Sequence, residues 1–226
     1  MMVENWMTRD VISLDVNDPL TRAADLLERH GVRLLPVHRF GKLVGIVTSA
    51  DLKRAVGEDP THLPAVSVGD VMSKNPVTIP PDYTIQEAAE ILVDRAVPGC
   101  PVLDRDGRTV GIVTKTDILK ALVASPGIAQ IGMVFGLRAR EHESCVEEIL
   151  NVIKEYRAQL LTVWSSYANA PEGFRNIYVR IVHRDPAVLS RLEEDLKKSC
   201  EILFLIDRRQ GRREIYEGAR TCARGA

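Results

Sequence analysis

Cysteine is scarce in this sequence. The 226 residues include four cysteines, Cys100, Cys145, Cys200 and Cys222, which are widely spread and form no C-x-x-C pair. Their spacing gives no basis for a disulfide framework, so we expect reduced thiols. Three of them are predicted to pack inside domains, and Cys222 lies in a polar tail.

Long apolar runs and an excess of charge of one sign are also missing. No run approaches the roughly 20 apolar residues of a membrane span, and the first residues, MMVENWMTRD, lack the apolar core of a secretory signal. The 30 basic and 31 acidic side chains nearly cancel to a formal charge of -1, so no overall field favours nucleic acid or an anionic membrane. We therefore expect a cytoplasmic protein with no nucleic-acid or membrane partner.

Sequence signatures of enzymes and metal sites are absent as well. The chain has no P-loop, no G-x-G-x-x-G, no G-x-S-x-G and no H-E-x-x-H. Its histidines show no paired spacing; they are His30, His38, His62, His142 and His183. In the stretch REHES, His142 stands beside carboxylates as a candidate acid or base, although a solvated helix start explains the stretch better. We expect no catalytic residue, no metal cofactor and no enzymatic activity.

An internal repeat is the main positive feature. The heptapeptide GIVTSAD at 45–51 returns as GIVTKTD at 111–117, and LLPV at 34–37 is matched by GCPV at 99–102. The offset is 65 residues, and it becomes 66 after HRFGK is replaced by the longer LDRDGR. Turns tolerate such an insertion, so the repeat predicts two copies of one structural unit.

Each repeat shows the pattern strand, helix, strand, strand, helix. Asp18 and Pro19 predict the start of the first helix and Gly31 its end, and apolar residues recur between them at helical spacing. Thr84 and Glu87 predict a capping box in the second repeat. One repeat is too small to bury its own apolar faces, so the two must pack together.

The two repeats resemble a tandem pair of cystathionine-β-synthase-type (CBS) domains over about residues 4–123. The resemblance rests on MTRDVISLDVNDPLTRAADLLERHGVRLLPV with GKLVGIVTSADLKRAV, and on MSKNPVTIPPDYTIQEAAEILVDRAVPGCPV with GRTVGIVTKTDILKALV. It implies an α/β regulatory module with pseudo-twofold symmetry. It also implies two clefts between the repeats, which in this family commonly hold adenosine-containing ligands.

The Thr-x-x-Asp pairs, Thr48 with Asp51 and Thr114 with Asp117, allow two interpretations. Each is a helix-capping signature that contributes about 1 kcal/mol. Alternatively, a carboxylate beside a helix N-terminus can accept hydrogen bonds from ribose hydroxyls while the helix attracts phosphate. Both copies keep Thr and Asp although the intervening residues change, which favours the ligand-binding interpretation without excluding the cap.

The resemblance implies that each cleft takes its Thr and Asp from one repeat and the backbone facing adenine from the other. The two sets are, for the first cleft, Thr48, Asp51, Val77, Thr78, Pro98 and Gly99 and, for the second cleft, Thr114, Lys115, Thr116, Asp117, Ile12, Ser13 and Arg33. Both cations of these sets, Arg33 and Lys115, belong to the second cleft. We therefore predict that the second cleft dominates nucleotide binding.

A different pattern follows the Ser-Pro-Gly segment at 123–130. Strands are predicted at 130–137, 160–167, 176–183 and 201–206, with one helix around 146–153 and another that starts at Asp185-Pro186. The order strand, helix, strand, strand, helix, strand, with MVFGLRAREHESCVEEILNVIKEY, resembles the ACT domain of acetoin-utilisation-type CBS-ACT proteins. The stretch 138–144 lacks the glycine-containing turn of relatives that bind amino acids. A dimerising role is therefore favoured over effector binding.

The sequence thus predicts an α/β and α+β protein. Its domains are a CBS pair at 1–125 (repeats at about 4–56 and 68–123), a ferredoxin-like βαββαβ domain of ACT type at 129–210, and a polar tail at 211–226. The predicted function is a non-enzymatic, homodimeric sensor of an adenine nucleotide that acts on an unidentified downstream protein. The ligand is AMP, ADP or ATP, with adenosylmethionine or NAD as further candidates. The alternative is a ligand-free scaffold that assembles an oligomer.

Overall fold

The computed structural model describes residues 1–56, 66–124 and 132–216, and the chain divides into two compact units, Met1–Val123 and Ala124–Ala226. After a short 3-10 turn at Val3–Asn5, the first unit has these elements: β1 Leu14–Asp15, α1 Leu20–His30, β2 Leu34–Arg39, β3 Lys42–Thr48, α2 Ser49–Val56, α3 Val68–Val71, β4 Ser73–Lys74, α4 Ile85–Asp94, β5 Gly99–Leu103, β6 Thr109–Thr114 and α5 Lys115–Ala124. The linker predicted at 123–130 begins inside α5, which includes Val123 and Ala124, and its remaining residues lie outside the described part of the chain.

Helix boundaries in the first unit follow the local signals, with one correction. Helix α1 ends at Gly31, which has a left-handed φ of 61°, and the capping box between Thr84 and Glu87 is present. However, α1 begins at Leu20, and Pro19 rather than Asp18 precedes it. The Asp18 carboxylate instead accepts a hydrogen bond from the Asp15 N–H at 2.8 Å. Asp18 therefore stabilises the turn before the helix and does not cap the helix.

The two repeats build equivalent hairpins. Strands β2 and β3 pair antiparallel from Leu34 opposite Thr48, and β5 and β6 pair in the same way from Gly99 opposite Thr114. Both registers shift at the same relative place, after Val37 and after Val102. The predicted correspondence of the repeats is therefore confirmed at the level of strand register.

The start of each repeat lies on the sheet of the other repeat. Strand β4, near the start of the second repeat, pairs with β3 of the first, with Ser73 opposite Ile46. Thr8, at the start of the first repeat, forms the equivalent bridge to Ile112 of β6. The methionines next to these residues also pack on the other repeat. Met7 belongs to the core of the second repeat, and Met72 packs against the core of the first repeat.

His38 of β2 connects the two repeats through a hydrogen bond between its Nε2 and the Thr109 hydroxyl at 3.0 Å. Burial lowers the pKa of His38 below its ordinary 6.5, and the nearby Asp15 carboxylate opposes this only in part. Below pH 6.5 the unfolded chain therefore takes up the proton before the folded chain does.

Neutral His38 therefore contributes to the stability of the folded chain. We expect this contribution to be complete above pH 6.5 and to be lost as the pH falls towards the lowered pKa of His38. Replacing His38 with glutamine keeps a hydrogen-bonding side chain that does not titrate. Urea unfolding gives the free energy of unfolding at pH 7.5 and at pH 5.5. This free energy should decrease less between the two pH values for His38→Gln than for the wild-type protein. Equal decreases in the two proteins would contradict the assignment.

The second unit is a five-stranded antiparallel sheet with two helices. Its elements are β7 Met133–Arg140, α6 Cys145–Glu155, β8 Gln159–Ser166, β9 Phe174–Val182, α7 Pro186–Ser199, β10 Glu201–Asp207 and β11 Arg212–Ile215. The strand order is β11-β10-β7-β9-β8. Helices α6 and α7 pack on one face of the sheet over buried residues such as Phe135, Ile177 and Leu205.

Two predictions for this unit need correction. Strand β7 continues to Arg140, so Arg138 and Arg140 lie in the strand rather than in the turn before α6. Strand β11 lies within the stretch predicted as a polar tail. A turn in which the Asp207 carboxylate accepts the Arg209 N–H at 2.8 Å returns the chain to pair with β10.

The cysteines pack as predicted where they are described. Cys100 and Cys145 are buried core residues and Cys200 packs against the second core, whereas Cys222 lies outside the described residues. Burial raises the pKa of the Cys100 thiol to about 11 and that of Cys200 to about 12. Both thiols are therefore protonated at neutral pH.

None of the helices in the described part of the chain combines the length and apolar character that crossing a membrane requires.

Candidate functional site

A cavity of about 280 Å³ lies between the two repeats of the first unit. Its volume is close to the lower end of the roughly 300–1,000 Å³ of small-molecule sites. Residues of both repeats line it: Thr8, Asp10, Val11, Ile12, Gly31, Val32, Arg33, Leu34 and Leu35 of the first, and Pro98, Ile112, Thr114, Lys115, Thr116, Asp117 and Lys120 of the second. A ligand here contacts both halves of the unit.

The N-terminus of α5 contributes the most constrained polar groups of this cavity. Asp117 is 5 % exposed, and its Oδ2 accepts hydrogen bonds from the Thr114 N–H at 2.9 Å and the Thr114 hydroxyl at 2.7 Å. The Asp117 N–H donates in turn to the Thr114 hydroxyl at 3.4 Å. The predicted cap is therefore present, and it uses only one carboxylate oxygen.

The other carboxylate oxygen distinguishes the two repeats. Asp51 forms the same cap with Thr48, at 2.8 and 2.7 Å, but its Oδ1 also accepts a hydrogen bond from Arg54 at 3.1 Å. The corresponding oxygen of Asp117 forms an ion pair with Lys120 at 3.6 Å, which is longer than a hydrogen bond. The Oδ1 of Asp117 is thus better placed than that of Asp51 to accept hydrogen bonds from a ligand.

Charge in the cavity favours an anionic ligand. Arg33, Lys115 and Lys120 line it together with the acidic Asp10 and Asp117, which leaves one excess positive charge. The N-terminus of the ten-residue helix α5 adds a partial positive charge at Lys115. The arrangement can therefore hold a phosphate near the helix start while a carboxylate accepts hydrogen bonds from neighbouring hydroxyls.

The cavity brings together most of the residues that the sequence assigns to the second cleft. Six of the seven line the cavity: Thr114, Lys115, Thr116, Asp117, Ile12 and Arg33. The seventh, Ser13, does not line it. Pro98, which the sequence assigns to the first cleft, lies in this lining instead. Its carbonyl accepts the Lys115 N–H at 3.2 Å, which holds it beside the start of α5.

The remaining residues of the predicted first cleft lie outside this cavity: Thr48, Asp51, Val77, Thr78 and Gly99. Asp51 is buried, with 3 % of its surface exposed, and Thr48 is half-buried. Gly99 packs closely, because a Cβ there would lie 2.8 Å from Leu34. Their role in ligand binding stays a prediction.

Sequence reasoning missed three polar residues of the cavity, Thr8, Asp10 and Lys120. Lys120 follows Asp117 by three positions on the same helix, so helical periodicity could have placed both side chains on one face. Thr8 and Asp10 enter the cavity because the first residues of the chain cross to the second repeat. That crossing depends on tertiary pairing and leaves no local signal.

The described ranges contain no group of three or more histidine, cysteine, aspartate or glutamate side chains arranged to hold a metal ion.

Comparisons with known proteins place the first unit among CBS domains. The family model for the CBS domain matches residues 3–58 and 68–124. A CBS domain-containing protein of Dictyostelium discoideum is 32% identical over 135 residues, covering 54% of this chain and 92% of that protein. An inosine-5'-monophosphate dehydrogenase of Korarchaeum cryptofilum is 36% identical over 115 residues, covering 51% of this chain and 23% of the enzyme.

A solved structure resembles part of the chain. The crystal structure of protein MJ1225 from Methanocaldococcus jannaschii has a TM-score of 0.50 at 31% sequence identity, covering 54% of this chain and 47% of that chain. The present chain thus spans less than half the length of this protein, and less than half that of the dehydrogenase.

Proposed function

The chain belongs to the CBS domain family, and from this we propose that it is a regulatory protein without catalytic activity that binds an adenine nucleotide between its repeats. The observation that carries the proposal is the cavity itself. It combines a buried carboxylate, a helix N-terminus and three cationic side chains drawn from both repeats. The match to the dehydrogenase covers 23% of that enzyme and gives no support to catalysis.

In the proposed complex, the Oδ1 of Asp117 accepts hydrogen bonds from the ribose hydroxyls. The phosphate lies at the start of α5, near Lys115 and Lys120, with Arg33 across the cavity. The backbone of 11–12 and of 32–34 faces the adenine ring. AMP, ADP and ATP suit the cationic lining better than adenosylmethionine, which carries no phosphate.

Regulation would follow from the position of the ligand. A nucleotide that contacts both repeats stabilises the arrangement in which the repeats enclose it, and only such differential affinity can shift a conformational equilibrium. The free and bound protein would then present different surfaces to a downstream protein. A cytoplasmic location is part of this proposal.

We further propose that the second unit is an ACT-like domain that dimerises the protein. Its elements follow the order βαββαβ, and β10-β7-β9-β8 gives the antiparallel order 4-1-3-2 expected for a ferredoxin-like sheet, with β11 added at one edge. Effector binding is less favoured, because β7 runs through Arg140 in regular pairing with β9 and leaves no open glycine turn.

A thermal-shift screen of the full chain tests nucleotide binding. AMP, ADP or ATP at a hundred times its dissociation constant should stabilise the folded chain by about 2.7 kcal/mol. Adenosine, which lacks the phosphate, and UMP, which lacks adenine, serve as matched controls and should stabilise it less. Adenosylmethionine and NAD complete the screen.

The absence of a shift with every adenosine compound would reject the proposal and leave a ligand-free scaffold that assembles an oligomer. Equal shifts with AMP and adenosine would reject the role of the three cations. Turnover of the nucleotide during the experiment would contradict the absence of catalytic activity.

A further inference from the structure

Helices α6 and α7, the two helices in the described part of the second unit, cover one face of its sheet. A row of four large side chains and one glycine crosses the other face. Trp164 of β8 lies opposite Tyr178 of β9, and Tyr178 lies opposite Gly136 of β7. Gly136 in turn lies opposite Phe204 of β10, which lies opposite Ile215 of β11. The row therefore spans all five strands on the face that α6 and α7 do not cover.

This row, which we call the aromatic row, is exposed at both ends and has a stacked pair of rings in the middle. Trp164 is 62 % exposed and Ile215 is 51 % exposed. Tyr178 and Phe204 stack with ring centroids 6.1 Å apart. A side chain at Gly136 would overlap the Phe204 ring, so the glycine lets this ring lie flat on the sheet.

The next row along the strands is mixed, because Arg180 lies opposite Val134 and Arg213 lies opposite Ile206. Val134 and Ile206 lie opposite each other on the same face and are half-buried. The opposite face of the same strands is fully buried by the helices, as at Phe135 and Leu205. A band of apolar side chains that crosses a whole sheet, with charged residues beside it, is typical of a protein interface with an apolar centre and a polar rim.

We propose that a second copy of the chain packs on the aromatic row, sheet against sheet. This inference rests on the proposed dimerising role of the second unit and names the surface that performs it. A twofold dimer brings the same patch of both copies together, and aromatic side chains make favourable offset or edge-to-face contacts with one another.

The size of the face fits this occupant. Five strands about 4.8 Å apart and on average about 23 Å long, with β11 the shortest, give roughly 550 Å² per copy. Two copies would then bury about 1,100 Å², just above the roughly 1,000 Å² expected of a specific interface. A short peptide would cover only part of a row that runs across all five strands.

Sedimentation velocity on the full chain tests the proposal through both ends of the aromatic row. Trp164→Glu on β8 and Ile215→Glu on β11 change residues at opposite edges of the sheet, and each should weaken the dimer at least about thirtyfold. Leu160→Glu is the matched control, since Leu160 is also an exposed large residue of β8 but lies opposite the core residue Ile181. It should leave the dimer intact.

The outcomes separate the possible interfaces. If only the two β8 variants weaken the dimer, the copies pair edge to edge through β8 and the proposal is wrong. A dimer unaffected by Trp164→Glu and Ile215→Glu also overturns it, while leaving the dimerising role to another surface. If the wild-type protein is monomeric, both the dimerising role and the proposed surface are wrong. Nucleotide binding, measured on the same samples by thermal shift, reports separately on the function proposed for the first unit.

Discussion

Replacing Asp117 with alanine should lower the affinity for the adenine nucleotide at least about a hundredfold, whereas the same change at Asp51 should leave it almost unchanged. The reason is the carboxylate oxygen that the helix cap does not use. In the proposed complex the Oδ1 of Asp117 accepts two hydrogen bonds from the ribose, and a hydrogen bond to a charged group contributes about 1.5–3 kcal/mol. Isothermal titration calorimetry on the full chain measures the difference.

The internal repeat supplies the control for this experiment. Asp51 and Asp117 accept the same two hydrogen bonds from their threonines, at distances that agree within 0.1 Å. Each alanine variant should therefore lose about 1 kcal/mol of stability from the helix cap, and any difference in affinity comes from the ligand. Equal loss of affinity in the two variants, or a loss with Asp51→Ala alone, would contradict the assignment of the second cleft.

Local features of the first unit were predictable because short-range physics determines them. The cap at Thr84, the end of α1 at Gly31 and the equivalence of the two hairpins follow from residue type and spacing. The Thr-Asp pairs belong to the same class of signal, since a cap closes within three residues. For this reason the sequence could place Asp117 at the start of a helix.

The parts that sequence reasoning missed depend on long-range contacts. Strand β11 has one large apolar residue, so its sequence shows little alternation of apolar and polar residues. Contacts between side chains instead hold the strand against α7. Arg212 pairs with the buried Glu193 at 3.1 Å, and the Tyr216 hydroxyl donates to the same carboxylate at 3.1 Å. Residues 193 and 212 carry no signal of this contact in their own neighbourhoods.

The candidate site also combines residues placed by local sequence with residues placed by long-range contacts. Helix α5 brings its predicted residues to the cavity by itself, whereas Thr8 and Asp10 arrive because the start of the first repeat crosses to the second sheet. Gly111 permits this crossing, since a Cβ there would overlap the Met7 sulfur and lie 3.1 Å from the Thr8 carbonyl oxygen. Gly45 has the same relation to Met72 and Ser73.

Replacing Gly111 with valine should therefore lower the free energy of unfolding by about 2–3 kcal/mol and also weaken nucleotide binding. The added side chain meets the backbone of the crossing segment, which the flexible Met7 side chain cannot relieve completely. Displacing that segment moves Thr8 and Asp10 away from the cavity. Urea unfolding followed by circular dichroism gives the stability, and calorimetry gives the affinity.

Gly45→Val is the matched control, because it introduces the same overlap at the first repeat while the segment that it displaces, 72–74, does not line the cavity. We expect a similar loss of stability with little loss of affinity. Combining Gly111→Val with Met7→Ala should recover part of the stability, since residues in contact do not act additively. If Gly45→Val weakened nucleotide binding as much as Gly111→Val, loss of stability alone would explain both results, and the crossing segment would have no specific role in the site.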